Sequence, residues 1–257
     1  MRVVVKVGTS TLAHASGRLN IRHTEELCKV LSDLKNGGHE VILVSSGAIG
    51  MGVGKLGLSS RPTDIPTKQA AAAVGQCELM YTYDRLFSEY NHTVAQILLT
   101  GSDFKNEERH ENFSNTMLRL LSLGVLPVVN ENDTVSTEEI KVGDNDTLSA
   151  LVAVSVGAEL LILLSDIDGL YTADPHKDIT ATLISRVEKL TPEVLALGGD
   201  AGSSLGTGGM ATKLSAAALC VENGCDMVIA NGAYPTCLYD IVEGKAVGTR
   251  FVARKDD

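Results

Sequence analysis

Cations are scarce in this 257-residue sequence: 22 Lys and Arg stand against 32 Asp and Glu, a formal net charge of −10 at pH 7. That balance speaks against a nucleic-acid-binding surface, because phosphate backbones are held by clustered Lys and Arg. Any anionic small molecule has to be held by local cations instead. The five cysteines (Cys28, Cys77, Cys220, Cys225, Cys237) are odd in number and contain no C-x-x-C pair. They fit reduced thiols in a cytoplasm better than a disulfide framework, and their expected role is that of small buried hydrophobes. Long apolar runs are also missing. Val3 to Val5 is interrupted by Lys6, far short of an export signal or a spanning helix. The expected location is therefore cytoplasmic, with neither a membrane nor a nucleic acid as partner. Short-period repeats and low-complexity tracts are absent too, which sets solenoids and linkers aside.

With 44% hydrophobic residues, the chain is long enough to bury a sizeable core in one large α/β domain or two small ones. Strand and helix signals alternate along it. Val3–Val5, Val41–Val44 and Leu160–Leu164 are apolar without alternation, as expected of parallel strands covered on both faces, and Val94–Leu99, Val125–Val129 and Met227–Ala230 are further expected strands. Leu27, Val30, Leu31 and Leu34 recur at helical spacing, with Asn20 as a candidate N-cap and Gly37-Gly38 as the stop. Further helices are expected near 68–90, 105–123, 148–156 and 212–222. The alternation predicts a mainly parallel sheet with helices on both faces, a three-layer α/β sandwich. Ligands then belong at the carboxyl ends of the strands, where the Gly, Ser, Asn and Asp clusters mostly fall.

Four clusters carry chemistry. Gly52-Val53-Gly54-Lys55-Leu56-Gly57 matches G-x-G-x-x-G literally, but it begins eight residues after a strand and leads toward Arg61-Pro62 rather than an obvious helix, so it makes a poor dinucleotide fingerprint. Gly206 through Lys213 (GTGGMATK) lacks P-loop spacing. It reads either as a mobile linker or as a backbone that wraps a phosphate chain at a helix N-terminus. Lys6, closing the first strand beside Gly8 and Thr9, is either a solvated lysine or, together with Lys213 at the same sheet edge, half of a phosphate clamp suited to phosphoryl transfer. The segment from Asn130 to Asp146 holds two acidic and amide-rich clusters joined by a possible hairpin over 134–142. It is either a self-solvating polar loop or a site for the ammonium and carboxylate of a small zwitterion, and it lacks the calcium-loop pattern, so no dedicated metal site is expected.

Taken together, KVGTS (6–10), VSSGAI (44–49), NENDTVSTEEIKVGDNDTLSA (130–150), SDIDGLYTADP (165–175) and GTGGMATK (206–213) resemble the glutamate 5-kinase family of amino acid kinases. The similarity runs from about Val3 to Arg250, and five motifs in one order give it high specificity. Related amino acid kinases share the first lysine and parts of the nucleotide region, whereas the block from 130 to 150 is particular to the glutamate enzymes. A dehydrogenase lacks support for want of a glycine fingerprint after the first strand. A silent binding protein on this fold would not need Lys6, Lys213 and Asp146 together.

The resemblance implies a single amino acid kinase domain over 1–257, its N-terminal half binding glutamate and its C-terminal half ATP. By position it makes Lys6 and Lys213 the phosphate-bridging lysines and Asp146 the carboxylate that orients them. Ser46, Gly47, Asp133 and Asn145 match the substrate-binding positions. Gly8, Thr9, Ser165 and Asp166, with Thr207, Gly208, Gly209, Met210, Ala211, Thr212 and Lys213, match the nucleotide-contacting segments. Mg²⁺ is expected to enter with ATP, coordinated mainly by phosphate oxygens and water. Phosphorylation of the glutamate side chain would start proline biosynthesis. Also implied are proline as feedback inhibitor, hand-off of the acyl phosphate to glutamyl phosphate reductase, and a homo-oligomeric dimer or tetramer. Many relatives carry an additional C-terminal PUA-like domain; ending at Asp257, this chain is expected to be a minimal form.

Overall fold

The structure is a computed structural model that describes residues 1–14, 18–136, 145–175, 177–199 and 209–253. Strand β1 (Arg2–Val7) is followed by a short helix α1 (Thr9–Leu12), helix α2 (Ile21–Asn36), and strand β2 (Glu40–Ser45). Next come α3 (Ala48–Leu56), α4 (Ile65–Ser88), β3 (Val94–Leu99), α5 (Gly101–Lys105), α6 (Glu107–Ser122) and β4 (Leu126–Glu131). The second half holds α7 (Asn145–Ser155), β5 (Leu160–Ser165), β6 (Arg186–Val187), α8 (Pro192–Ala196), α9 (Met210–Glu222), β7 (Asp226–Asn231), α10 (Cys237–Val242) and β8 (Thr249–Phe251).

These strands form one sheet in the order β3-β4-β2-β1-β5-β7-β8-β6. Every pairing is parallel except β7 with β8. The absence of alternation in the central strands has the anticipated cause, since both faces are covered. Val3, Val5 and Val7 pack with Leu27 and Leu31 of α2, Leu79 and Phe87 of α4, and Leu238 of α10. On the opposite face Val4 joins Met117 of α6, Leu148 and Val152 of α7, and Leu214 and Ala217 of α9. The expected three-layer sandwich is the observed architecture. β1 lies in the middle, so the end of β1 is the point from which both halves of the sheet are within reach.

Local chemistry explains most element boundaries. Asn20 caps α2, accepting from the His23 N–H at 3.3 Å, and Gly38 at φ 90° reverses the chain after Gly37. α4 begins earlier than its apolar spacing suggests because Asp64 accepts from the Thr67 N–H at 2.9 Å and Pro66 fits the first turn. The helix expected over 105–123 is α6, and a short helix α5 that the sequence reading did not anticipate precedes it: Asn106 ends α5 and caps α6, accepting from the Arg109 N–H at 2.9 Å.

The G-x-G-x-x-G segment resolves into packing. Gly52 and Gly54 lie inside α3 and Gly57 is its C-cap at φ 65°. A Cβ on Gly52 would stand 1.8 Å from the Ala71 carbonyl oxygen of α4, and one on Gly75 would stand 1.7 Å from the Ala48 carbonyl oxygen of α3. These glycines let two helix backbones touch, a use the sequence pattern alone does not separate from ligand binding. Of the cysteines, Cys28, Cys220 and Cys225 are buried as expected, whereas Cys77 is exposed and Cys237 half-buried, so two of the five depart from the expectation. Among the described residues no helix is long and apolar enough to cross a membrane.

Candidate active site

The site lies at the carboxyl ends of β1, β2, β4 and β5. Lys6 is the next-to-last residue of β1, in register with Val44 of β2 and Leu163 of β5. Strand alternation puts its side chain on the same face as Val4, toward α7 and α9. There its Nζ lies 2.6 Å from Asp146 Oδ1, while Lys213 Nζ lies 2.9 Å from Asp146 Oδ2. Lys6 is 9% exposed, Lys213 5% and Asp146 0%. Thr212 Oγ1 adds a longer contact to Asp146 Oδ2 at 3.4 Å and is held by the Gly209 carbonyl at 2.8 Å.

The helices supply this geometry. The expected helix over 148–156 begins earlier, at Asn145, which places Asp146 in the first turn of α7, where helix partial charge favours an anion. Lys213 sits in the first turn of α9, whose N-cap is Gly209. Burial alone would raise the Asp146 carboxyl, but the two ammonium groups and their hydrogen bonds outweigh it and hold the group below the ordinary carboxylate range. The result is two cations fixed side by side on a single carboxylate.

Next to this cluster is an amide and hydroxyl group of contacts. Asn145 Nδ2 lies 2.6 Å from Ser46 Oγ, 3.1 Å from Asn130 Oδ1 and 3.3 Å from the Ser45 carbonyl. Ser46 donates its N–H to the Val7 carbonyl at 3.1 Å, which ties the end of β2 to β1. Gly47 follows at φ 107° and caps α3, a conformation that favours glycine. Asp133 follows β4 in the turn in which the Asn132 carbonyl accepts from Val135 and Ser136.

On the other side of Lys6, Gly8 caps the short α1, with Thr9 as its first residue, and a Cβ on Gly8 would lie 3.8 Å from Lys6 Nζ. Ser165 ends β5, its Oγ donating to Asp166 at 3.1 Å, and its carbonyl accepts from Gly232 at 2.7 Å. The structure thus gathers Lys6, Ser46, Gly47, Asn145, Asp146 and Lys213 from four sequence segments, with Gly8, Thr9, Ser165 and Asp166 on neighbouring strand ends. Thr207 and Gly208, and the possible hairpin from 137 onward, lie outside the described residues; Gly209, Met210 and Ala211 open α9.

Of three further contributors, sequence reasoning named Asn130 only within its amide-rich cluster and missed Gln76 and Asn231. Asn130, 2% exposed, and Gln76, 7% exposed, are buried amides linked at 2.9 Å. Gln76 shares the buried face of α4 with Ala72, Leu79 and Tyr83, so a polar residue at an apolar helical position was the available signal. The third, Asn231 at the end of β7, donates to Asp168 at 2.7 Å and so closes the loop after β5.

Residues 1–231 match the model of the Amino acid kinase family. The glutamate 5-kinase of Clostridium tetani is 56% identical over 98% of this chain and 95% of its own length. The chain belongs to the glutamate 5-kinase family. The glutamate 5-kinase of Clostridium perfringens is 52% identical, covering 100% of this chain and 97% of that one, and that of Listeria welshimeri is 53% identical over 99% and 94%. Among solved structures, UMP kinase from Ureaplasma parvum superposes with a TM-score of 0.66 over 98% of both chains at 15% identity, which places the fold of this glutamate 5-kinase family member within the amino acid kinase architecture.

Proposed function

We propose that this chain transfers the γ-phosphoryl group of ATP to the side-chain carboxylate of L-glutamate, giving L-glutamyl 5-phosphate, the first step of proline biosynthesis. The observation that carries the reading is the pair Lys6 and Lys213 on Asp146, set directly beside the Ser46 and Asn145 contacts. In this reading the paired lysines face the phosphates and the amide group faces the amino acid.

The chemistry needs little else. The glutamate side chain titrates near 4.3 and is ionised at neutral pH, so its oxygen attacks the γ-phosphorus without a general base. A new O–P bond forms, the bond to the β,γ-bridging oxygen breaks, and ADP leaves with that electron pair. Lys6 and Lys213 neutralise charge on the moving phosphoryl group and keep nucleophile and leaving group in line, while Asp146 keeps the two ammonium groups from separating. Gly8, Thr9, Ser165, Asp166 and the segment 207–213 are assigned to the nucleotide. Asp133 and Asn145 are assigned to the α-ammonium of glutamate, with Ser46 and Gly47 lining the same subsite. Mg²⁺ would enter with ATP and, when bound, would draw charge from the phosphates. Among the described residues no group of three or more His, Cys, Asp or Glu is placed to hold a metal ion.

The reading extends to a single catalytic domain in the cytoplasm, a dimeric or tetrameric assembly, proline as inhibitor, and delivery of the labile acyl phosphate to a reductase. Its direct test is ATP consumption against a panel of amino acids with hydroxylamine present to trap acyl phosphate. A hydroxamate formed with glutamate alone is expected; one formed with aspartate or N-acetylglutamate instead would overturn it.

A further inference from the structure

We infer that Gln76 is a positioning residue for the amino-acid subsite, acting through Asn130 to fix the orientation of Asn145; this rests on the assignment of Asn145 to glutamate. The argument begins with two backbone groups whose polarity is not negotiable. The Glu131 N–H can only donate, and it donates to Asn130 Oδ1 at 2.9 Å. The Ser45 carbonyl can only accept, and it accepts from Asn145 Nδ2 at 3.3 Å. Asn130 must therefore present its oxygen to Glu131 and Asn145, and its NH₂ to Gln76 Oε1 at 2.9 Å. Gln76 Nε2 then donates to Gln96 Oε1 on the edge strand β3 at 3.2 Å.

The row runs in one direction, from Asn145 through Asn130 and Gln76 to the exposed end at Gln96. With the Asn145 NH₂ shared among Ser46, Ser45 and Asn130, the Asn145 carbonyl oxygen is the atom directed by default to an incoming ammonium group. Gln76 is placed by the close approach of α3 and α4, whose contact at Gly75 lies one residue away. Removing its acceptor would leave the Asn130 NH₂, on a residue 2% exposed, without a partner. The Asn130 side chain would turn to find one, withdrawing its oxygen from Asn145.

The test compares Gln76→Met, Gln76→Glu and Gln96→Ala in steady-state kinetics, with thermal unfolding recorded for each. Gln76→Met should raise the glutamate KM about tenfold, the effect expected of one buried donor left unmade, with the ATP KM within about twofold. Gln76→Glu at pH 8 keeps an acceptor for Asn130 and should recover most of that loss. Gln96→Ala should change little, since water can replace an exposed partner. In an Asn145→Ala background Gln76→Met should add no further rise in glutamate KM. Parallel losses in glutamate KM, ATP KM and kcat, or an unchanged glutamate KM in Gln76→Met, would overturn the inference. Equal impairment of the Glu and Met variants would do the same, and if the Met variant fails to fold, a Glu variant with a raised glutamate KM decides against it. Hydroxamate formation by the unsubstituted protein is the separate control: absence with glutamate removes the functional reading itself, whatever the variants do.

Discussion

Lys6 meets Asp146 at 2.6 Å where the central strand ends against the first turn of α7, and the second oxygen of the same carboxylate is taken by Lys213. A buried ion pair is a poor source of net stability, because desolvation offsets the attraction, yet breaking one is costly since the remaining charge has no counterpart. Here two cations would lose the same partner at once. The arrangement makes more sense as a device that holds two ammonium groups close together than as a brace for the fold.

Asp146→Asn should destabilise the protein by about 3 to 5 kcal/mol, measured by urea unfolding at pH 7. In the folded protein the Asp146 carboxyl is held below its ordinary range because the lysines outweigh burial; unfolded, it titrates near 3.9. Its contribution is therefore complete above about pH 5 and is lost as pH falls through the folded value. The unfolding free energy of Asp146→Asn should accordingly fall less steeply with acidification than that of the unsubstituted chain. Identical slopes would show that Asp146 is not the group responsible.

Lys6→Ala and Lys213→Ala should each lower kcat by about 100- to 1000-fold, as removal of a charge-stabilising donor typically does. The glutamate KM should move far less. Steady-state kinetics on variants with preserved circular dichroism checks this, and losses under about tenfold for both would defeat the clamp.

The kcat profile should be nearly flat from about pH 6.5 to 8.5 under saturating ATP and Mg²⁺, since the attacking carboxylate is ionised throughout and an ordinary lysine remains charged. A steep limb near pH 7 would point to an essential base, such as one of the six histidines.

Gly75→Ala should cost at least about 3 kcal/mol, above the usual range for overpacking, because the new methyl would meet backbone rather than a movable side chain. Gly52→Ala acts at the same helix contact. The double variant should lose less than the sum of the two, since helices already pushed apart by one methyl accommodate the other. Additive losses in urea unfolding would show that the two sites relax independently.

Glutamate should be preferred over N-acetylglutamate by roughly 10⁴-fold in kcat/KM, the discrimination expected of a site built around polar contacts. Acetylation removes the ammonium charge that Asp133 and Asn145 are assigned to receive. Asp133→Ala should raise the glutamate KM strongly and leave the ATP KM nearly unchanged. Comparable kcat/KM for the two substrates in the unsubstituted enzyme would remove the basis for this subsite.

Six of the eight strands and their order of appearance were legible in the sequence because apolar runs carry their own signal: Val94–Leu99 was bounded correctly, Val3–Val5, Val41–Val44, Leu160–Leu164 and Met227–Ala230 are longer by one or two residues at one or both ends, and Val125–Val129 is shifted to Leu126–Glu131, whereas the short strands β6 and β8 were not anticipated. The gathering of polar groups at the strand ends was legible too, since Lys6 and Ser46 stand at the edge of apolar segments. Tertiary structure decided what depends on distance between segments. Gly52 reads only as part of a poor dinucleotide fingerprint until the Ala71 carbonyl is found against it, and Gln76 reads as one polar residue in an alanine-rich helix until Asn130 is found at 2.9 Å. Sequence spacing reports which face of its own element a side chain occupies. What it meets there is set by packing, because helix approach and strand order bring together residues whose separation along the chain carries no information about their separation in space.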